Sequence, residues 1–263
     1  MSNTPGGGNN GSTRRKIASA LVAISHASSP FITTFLLIHL AAPALANIGG
    51  SGLASQTMLL GREYYQTNFG ESYLVLAPIT VHALAGISKR LLLSSIPASA
   101  DEDPKDEEAT RGLTPSLRPL KSLLSLTGYA TAFFFLPVHF LLHRYYPALP
   151  MEPITSVGPS SLDYEYIKYG LHTWPWRSWL LYAGLVSSVA LHAADGAALI
   201  WSAWFKKSWG ELSRKTRRTI AIGCVVTPVL LGLSVIAREP PMLMSFLESR
   251  YRAAYTQSDL FRL

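Results

Sequence analysis

The chain has 263 residues, of which 48% are hydrophobic and 15% charged. That balance is too apolar for an ordinary soluble domain, and the apolar residues fall in long runs, so the chain reads as a polytopic membrane protein. Its formal net charge of +7 comes from lysines and arginines between the runs, where they set orientation and attract anionic lipid rather than mark a nucleic-acid partner; the single cysteine, Cys224, excludes an internal disulfide, a Cys-ligated zinc site and an iron–sulfur cluster.

Residues 1–16 are rich in Gly, Asn and Ser and end in Arg14-Arg15-Lys16, which reads as a disordered basic tail without a cleavable leader. Five spans are expected within 17–237. The first runs from about Ile17 to Ala46, and a Gly/Ser-rich link then leads to Tyr64, Tyr65 and Phe69 at an interface. The second is about Ser72 to Leu93, followed by an acidic, water-exposed loop. The third is about Leu120 to Tyr145, and a proline-rich loop leads to the fourth, about Ser178 to Phe205. Trp174, Trp176 and Trp179 bracket the fourth span at one end and Trp201, Trp204 and Trp209 at the other, as an aromatic belt does. A basic loop precedes the fifth span, about Thr219 to Ala237, and residues 238–263 form a C-terminal tail with an interfacial helix. Lysines and arginines concentrate before the first span and in the second and fourth loops, which predicts a cytosolic N-terminus.

The spans repeat. Ser25, Phe35, Leu36 and His39 match Ser125, Phe135, Leu136 and His139, one hundred residues apart. His82-Ala83 with Gly86 in the second span is echoed by His192-Ala193 with Gly196 in the fourth. The fold expected is therefore an all-α membrane bundle of about five spans with an internally duplicated two-helix unit.

Each of the first four spans thus carries one histidine, and ionisable side chains inside a bilayer tend to mark function. At about 1.5 Å per residue, His82 and His192 fall near the middle of their spans, and His39 and His139 roughly 9 Å off-centre toward one face. That pairing suits a bis-histidine site for one or two haem b groups, with His39, His82, His139 and His192 as ligands. Gly86 and Gly196, four residues after a histidine, would make room for a macrocycle, and Lys89, Arg90 or Arg144 could meet its propionates. The other reading is that the four histidines are interhelical hydrogen bonders and the glycines aid close packing. His143 and His172 read as headgroup-level or loop residues. His26 lies thirteen residues before His39, a spacing that no other helix repeats. Asp195, three residues after His192, would line a polar cavity or bond protonated to a neighbouring Ser or Thr. No G-x-S-x-G, P-loop, H-E-x-x-H or paired intramembrane carboxylates occur, so hydrolase and kinase chemistry have no foothold.

The stretches HASSPFITTFLLIHLAAP, APITVHALAGISKR and GLHTWPWRSWLLYAGLVSSVALHAADGAALIW resemble the fungal mitochondrial outer-membrane adapter family first named as complementing loss of the Mdm-ten protein, over roughly residues 17–205. More remotely, the four-helix pattern is similar to the membrane anchor of succinate dehydrogenase and fumarate reductase, whose dihaem versions take one histidine from each of four helices; His39, His82, His139 and His192 would occupy those positions. The adapter resemblance implies a non-enzymatic role: recruiting a bridge-like lipid-transfer protein of the Vps-thirteen family and redistributing the delivered phospholipid between leaflets. It also implies recruitment through Pro-x-Pro peptides in the cytosolic tail, whereas residues 1–16 contain only Pro5. The alternatives are a b-type cytochrome exchanging electrons with a quinone and a passive structural anchor.

Overall fold

The computed structural model describes residues 8–94, 122–205 and 212–262. Every regular element among them is helical, and five helices are long and apolar enough to cross a membrane, as the sequence predicts. The acidic second loop, Trp209 and residues 1–7 lie outside the described residues.

The first helix, α1 (Gly8–Tyr65), differs most from expectation. It begins ahead of Ile17, so residues 8–16 are helical rather than part of a tail, and the supposed Gly/Ser-rich link is helical as well. The segment LASQTMLLGRE is made of good helix formers, and the break is confined to Gly49 and Gly50. Gly50 takes φ 60°, a conformation open to glycine, and a Cβ there would run into the Glu239 carboxylate. Phe35 lies fourteen residues before the break and Tyr65 fifteen after it, yet their rings meet edge to face at 5.3 Å. The chain has therefore doubled back.

A π-helical stretch, Gly70–Leu76, leads into α2 (Ala77–Ser94). The third span is irregular: α3 (Leu123–Ala130), a π-helical stretch Thr131–Phe135, α4 (Leu136–Phe140), and a second such stretch, Leu141–Tyr145. After the third loop come α5 (Tyr164–Thr173) and the 31-residue α6 (Pro175–Phe205). The fifth span joins α7 (Arg214–Ala221) to α8 (Thr227–Arg238) through the π-helical stretch Ile222–Val226. The chain finishes with α9 (Ser245–Tyr255) and α10 (Asp259–Arg262).

All four π-helical stretches among the described residues end two residues before a proline: Pro78, Pro137, Pro147 and Pro228. The cause is local. A proline inside a helix has no N–H to donate, and its ring crowds the carbonyl four residues back. Widening the preceding turn relieves that clash and lets a span continue through the proline.

The described chain forms two compact units. The first combines α1 up to Phe35 with the chain from Tyr65 through α2. Its hydroxyls bond the helix's own carbonyls, with Ser29 donating to Ser25 O at 2.9 Å and Thr33 to Ser29 O at 2.9 Å. The second unit holds Leu36–Tyr64 and everything from Ser122 onward. Its densest core lies where the third, fourth and fifth spans meet the third loop and the C-terminal segment. Tyr166, Tyr251, Tyr255, Phe261, Leu142, Ile154 and Ile236 are its largest buried apolar side chains. The Tyr166 and Tyr255 rings stack at 4.5 Å, and Phe261 meets Trp174 at 5.5 Å. The tail expected to lie at an interface is therefore wound into a cap, because it contributes three of these aromatic anchors. Arg250 closes the cap by donating to Ile154 O at 2.8 Å and Thr155 O at 3.0 Å.

Two contacts set the frame of this unit. Gly232 of α8 lies against the Pro43 carbonyl of α1, and Asn47 donates to Pro228 O at 2.7 Å. At the α1 break, Glu239 accepts from the Ser51 N–H at 3.0 Å and from the Ser51 hydroxyl, capping the restarted helix from outside. Lys168, only 2% exposed, is held between Glu165 and Glu239. Partial burial alone would raise the Glu239 carboxyl, but the Ser51 bonds and Lys168 outweigh it and hold it below its ordinary value of 4.5.

Two outcomes are expected. Gly232→Ala should lose about 1–3 kcal/mol by wedging α8 off Pro43, whereas Gly223→Ala, where a Cβ meets nothing within 4 Å, should be near neutral in the same detergent melts. A depressed carboxyl stabilises the fold above its unfolded value and stops doing so as pH falls through its folded one. The wild type should therefore lose melting temperature as pH drops below 4.5, and Glu239→Gln should blunt that loss while melting lower at pH about 7.

Candidate functional site

The third span builds the site. His139 and His143 are four residues apart and share a helix face, which α1 meets with His39. The His39 and His139 rings are 5.9 Å apart at 84°, and those of His139 and His143 are 4.6 Å apart at 48°. The His139 Nδ1 is buried and makes no hydrogen bond. His143 faces the cap: its Nε2 lies 3.2 Å from the Tyr182 hydroxyl, and its ring meets Tyr166 edge to face at 5.7 Å. The sequence places His143 at headgroup level; the structure makes it the link between the histidine pair and the buried tyrosines. Its four-residue spacing from His139 was the available signal.

The cap tyrosines stay neutral. Burial pushes the Tyr166, Tyr251 and Tyr255 hydroxyls above their ordinary value, and neighbouring tyrosines add to this at Tyr166 and Tyr255. Each acts as a donor: Tyr166 to Leu142 O at 2.9 Å, Tyr255 to Tyr166 O at 3.1 Å, and Tyr251 to Ser161 O.

His82 and His192 belong to different units, and each bonds within its own. The His82 Nδ1 lies 3.0 Å from Ser25 O, and the His192 Nδ1 lies 3.0 Å from Leu124 O. A carbonyl can only accept, so both rings carry a proton on Nδ1. The two hairpins thus make the same kind of bond: a histidine of the second helix holds a main-chain carbonyl of the first. Gly128 makes room for the His192 ring, because a Cβ there would lie 2.9 Å from its Cε1. The two glycines singled out from the sequence are in open positions: a Cβ on Gly86 meets nothing within 4 Å, and one on Gly196 meets only Leu124 at 4.0 Å.

Asp195 has a partner that the sequence reading did not find. It is neither in a bare polar cavity nor bonded to a Ser or Thr; the Arg218 guanidinium reaches it with Nη2 at 2.6 Å and Nε at 3.2 Å. Arg218 was assigned to a loop, but the fifth span starts at Arg214 and carries it onto the helix. The pair ties α6 to α7, with Asp195 about 9 Å inward of Trp201 along the helix. Among the described residues, no group of three or more His, Cys, Asp or Glu side chains is arranged to chelate a metal ion.

Comparison with known proteins gives one family: residues 134–239 match the model of the MDM10-complementing protein 1 transmembrane domain. That segment holds the second half of the third span, the cap helix α5, and the fourth and fifth spans, and over it the match bears out the resemblance to the Mdm-ten-complementing family drawn from the sequence. No curated protein and no solved structure gives a significant match.

Asp195→Asn should destabilise the protein in detergent by leaving Arg218 without its counter-charge. Replacing both members, Asp195→Leu with Arg218→Leu, should melt closer to wild type than either single change. A double variant worse than both singles would mean that the pair is not the main contact there.

Proposed function

We propose that this chain, which carries the transmembrane domain of the MDM10-complementing family, is a multi-pass adapter of the mitochondrial outer membrane that passes phospholipid between leaflets. It receives that lipid from a recruited bridge-like transfer protein of the Vps-thirteen family, and its N-terminus faces the cytosol. The partner, the membrane and the orientation rest on the family resemblance and on the distribution of basic residues.

The observation that carries the lipid reading is the Asp195–Arg218 pair. A carboxylate 10% exposed in an oily span is costly unless its charge is matched. A zwitterionic phospholipid headgroup bears the same two charges. Its phosphate can take Arg218 as its amine takes Asp195, so the pair opens without leaving either charge bare. Desolvation of the passing headgroup is the main barrier to lipid crossing, and an exchangeable ion pair lowers it.

A second reading, that of a b-type cytochrome, has its own support. Metal-bound histidines commonly donate the other ring nitrogen to a carbonyl, as His82 and His192 do. The His39 and His139 rings meet edge to face, with centres 5.9 Å apart. Imidazole is a good donor to haem iron, so His39, His82, His139 and His192 are the residues that would hold haem b, which would supply a one-electron carrier when bound. The chain's own part is to hold the rings: Ser25 O and Leu124 O fix two of them, and packing of His143 orients a third.

Vesicles with labelled phospholipid test the first reading. Wild type should expose inner-leaflet label to a membrane-impermeant quencher, and the Asp195→Leu, Arg218→Leu variant should do so at least several-fold more slowly. A wild-type rate equal to that of protein-free vesicles would sink it. For the second, protein made with haem available should show a Soret band that His82→Ala, His192→Ala, His39→Ala or His139→Ala weakens; colourless protein would rule it out.

A further inference from the structure

The Asp195–Arg218 pair joins α6 to α7 within the second unit. Asp195 is the one carboxylate of α6, and α7 and α8 carry none. Basic side chains are far more numerous. Lys206, Lys207, Arg214, Lys215, Arg217 and Arg218 follow the fourth span, against the lone acid Glu211. Arg218 is matched by Asp195, and Arg217 donates to Leu212 O at 2.5 Å. Arg214 and Lys215 are exposed, and among the described residues neither meets a carboxylate. Because Glu211 can match only one cation, a surplus of positive charge stays beside the pair.

Helix register fixes where that surplus sits. Arg214 and Lys215 stand four and three residues before Arg218, the two spacings that share a helix face. They lie about one helical turn, roughly 5 Å, further out along α7. Trp204 and Phe205, 60% and 59% exposed, close the fourth span at the same end, as a headgroup-level belt does. From water inward, a headgroup meets two unmatched cations, then Arg218, then the Asp195 side chain, which is 10% exposed.

We infer that the first turn of α7 selects the headgroup, favouring a phospholipid that bears an amine, a phosphate and a second anionic group, as a serine headgroup does. The amine takes Asp195, the phosphate takes Arg218, and the carboxylate takes Arg214 or Lys215 one turn further out. The inference rests on the reading in which a headgroup opens the Asp195–Arg218 pair, and it names the class of lipid. Other headgroups answer fewer of these charges. A choline or ethanolamine lipid leaves the outer cations idle. A glycerol headgroup has no amine, so Asp195 would be left bare once Arg218 turned to the phosphate. In a serine headgroup the carboxylate and the phosphate are joined through a two-carbon link, so side chains one turn apart can hold both by charge-assisted bonds.

The test offers the full chain in mild detergent equal amounts of phosphatidylserine, phosphatidylethanolamine and phosphatidylglycerol, and reads retained lipid by native mass spectrometry. Wild type should hold the serine lipid about fivefold more strongly than either of the others, the effect of one basic side chain at headgroup level. Arg214→Gln with Lys215→Gln should bring the serine lipid down to the ethanolamine level and leave the ethanolamine lipid unchanged, whereas Arg214→Lys should keep the preference. Both positions are exposed, so the double variant should melt with wild type. Equal retention of serine and ethanolamine lipids by wild type would overturn the inference. So would a glycerol lipid held as tightly as the serine lipid, or a serine preference that survives the double variant. Scrambling of labelled phosphatidylcholine in vesicles judges the earlier reading separately. Scrambling without serine preference would sink this inference alone, and serine preference without scrambling would sink only the claim that lipid passes between leaflets.

Discussion

A bilayer interior offers no hydrogen bonds, so a polar group that a span carries is costly unless the protein itself answers it, as it does for most of them, with the buried His139 Nδ1 among the exceptions. Most of the local structure follows from that constraint. The π-helical stretches before Pro78, Pro137 and Pro228 let each helix continue through a residue that cannot donate, and the one before Pro147 leads into the short turn that ends the third span. Ser29 and Thr33 turn back on their own helix. His82 and His192 spend their Nδ1 protons on carbonyls of the neighbouring helix, and Asp195 is matched by Arg218. Where a proline carbonyl could be reached, Asn47 reaches it.

The constraint changes at the cap, and so does the packing. There the chain builds the kind of core found in soluble proteins, from tyrosines whose rings supply apolar area and whose hydroxyls find carbonyls. This core ties the third and fourth spans to the third loop and to the C-terminal helices, while Glu239 and Lys168 fasten the fifth span to the α1 break. The cap fixes the ends of helices whose faces are otherwise free for lipid. It also places His143 between the histidine pair and the tyrosines.

The number of spans and the all-α class were legible because long apolar runs bounded by basic residues and tryptophans have few other meanings. The reversal at Gly49-Gly50 was not. A Gly/Ser-rich stretch reads as a link, and only the contact of Phe35 with Tyr65 shows helix on both sides of the break. The cap was hidden for a different reason: Tyr251, Tyr255 and Phe261 are scattered among arginines, a pattern that suits an interfacial helix as well as a docked one. The histidines were visible as residue types at matching depths. Their partners are main-chain carbonyls, which no residue pattern marks. Arg218 was missed because a basic residue at a span boundary is ordinarily a solvated one.

The duplication connects these levels. A histidine of each second helix holds a main-chain carbonyl of its first helix, so both hairpins are set by the same kind of bond, and the ring nitrogen that this bond does not occupy is Nε2. Lipid passage needs the hairpins held in place as scaffold, and a haem role would use that nitrogen directly. Nitrogen-15 spectra of histidine-labelled protein in lipid nanodiscs test this most directly: His82 and His192 should both carry a proton on Nδ1. Finding Nδ1 of either ring without a proton would contradict the account.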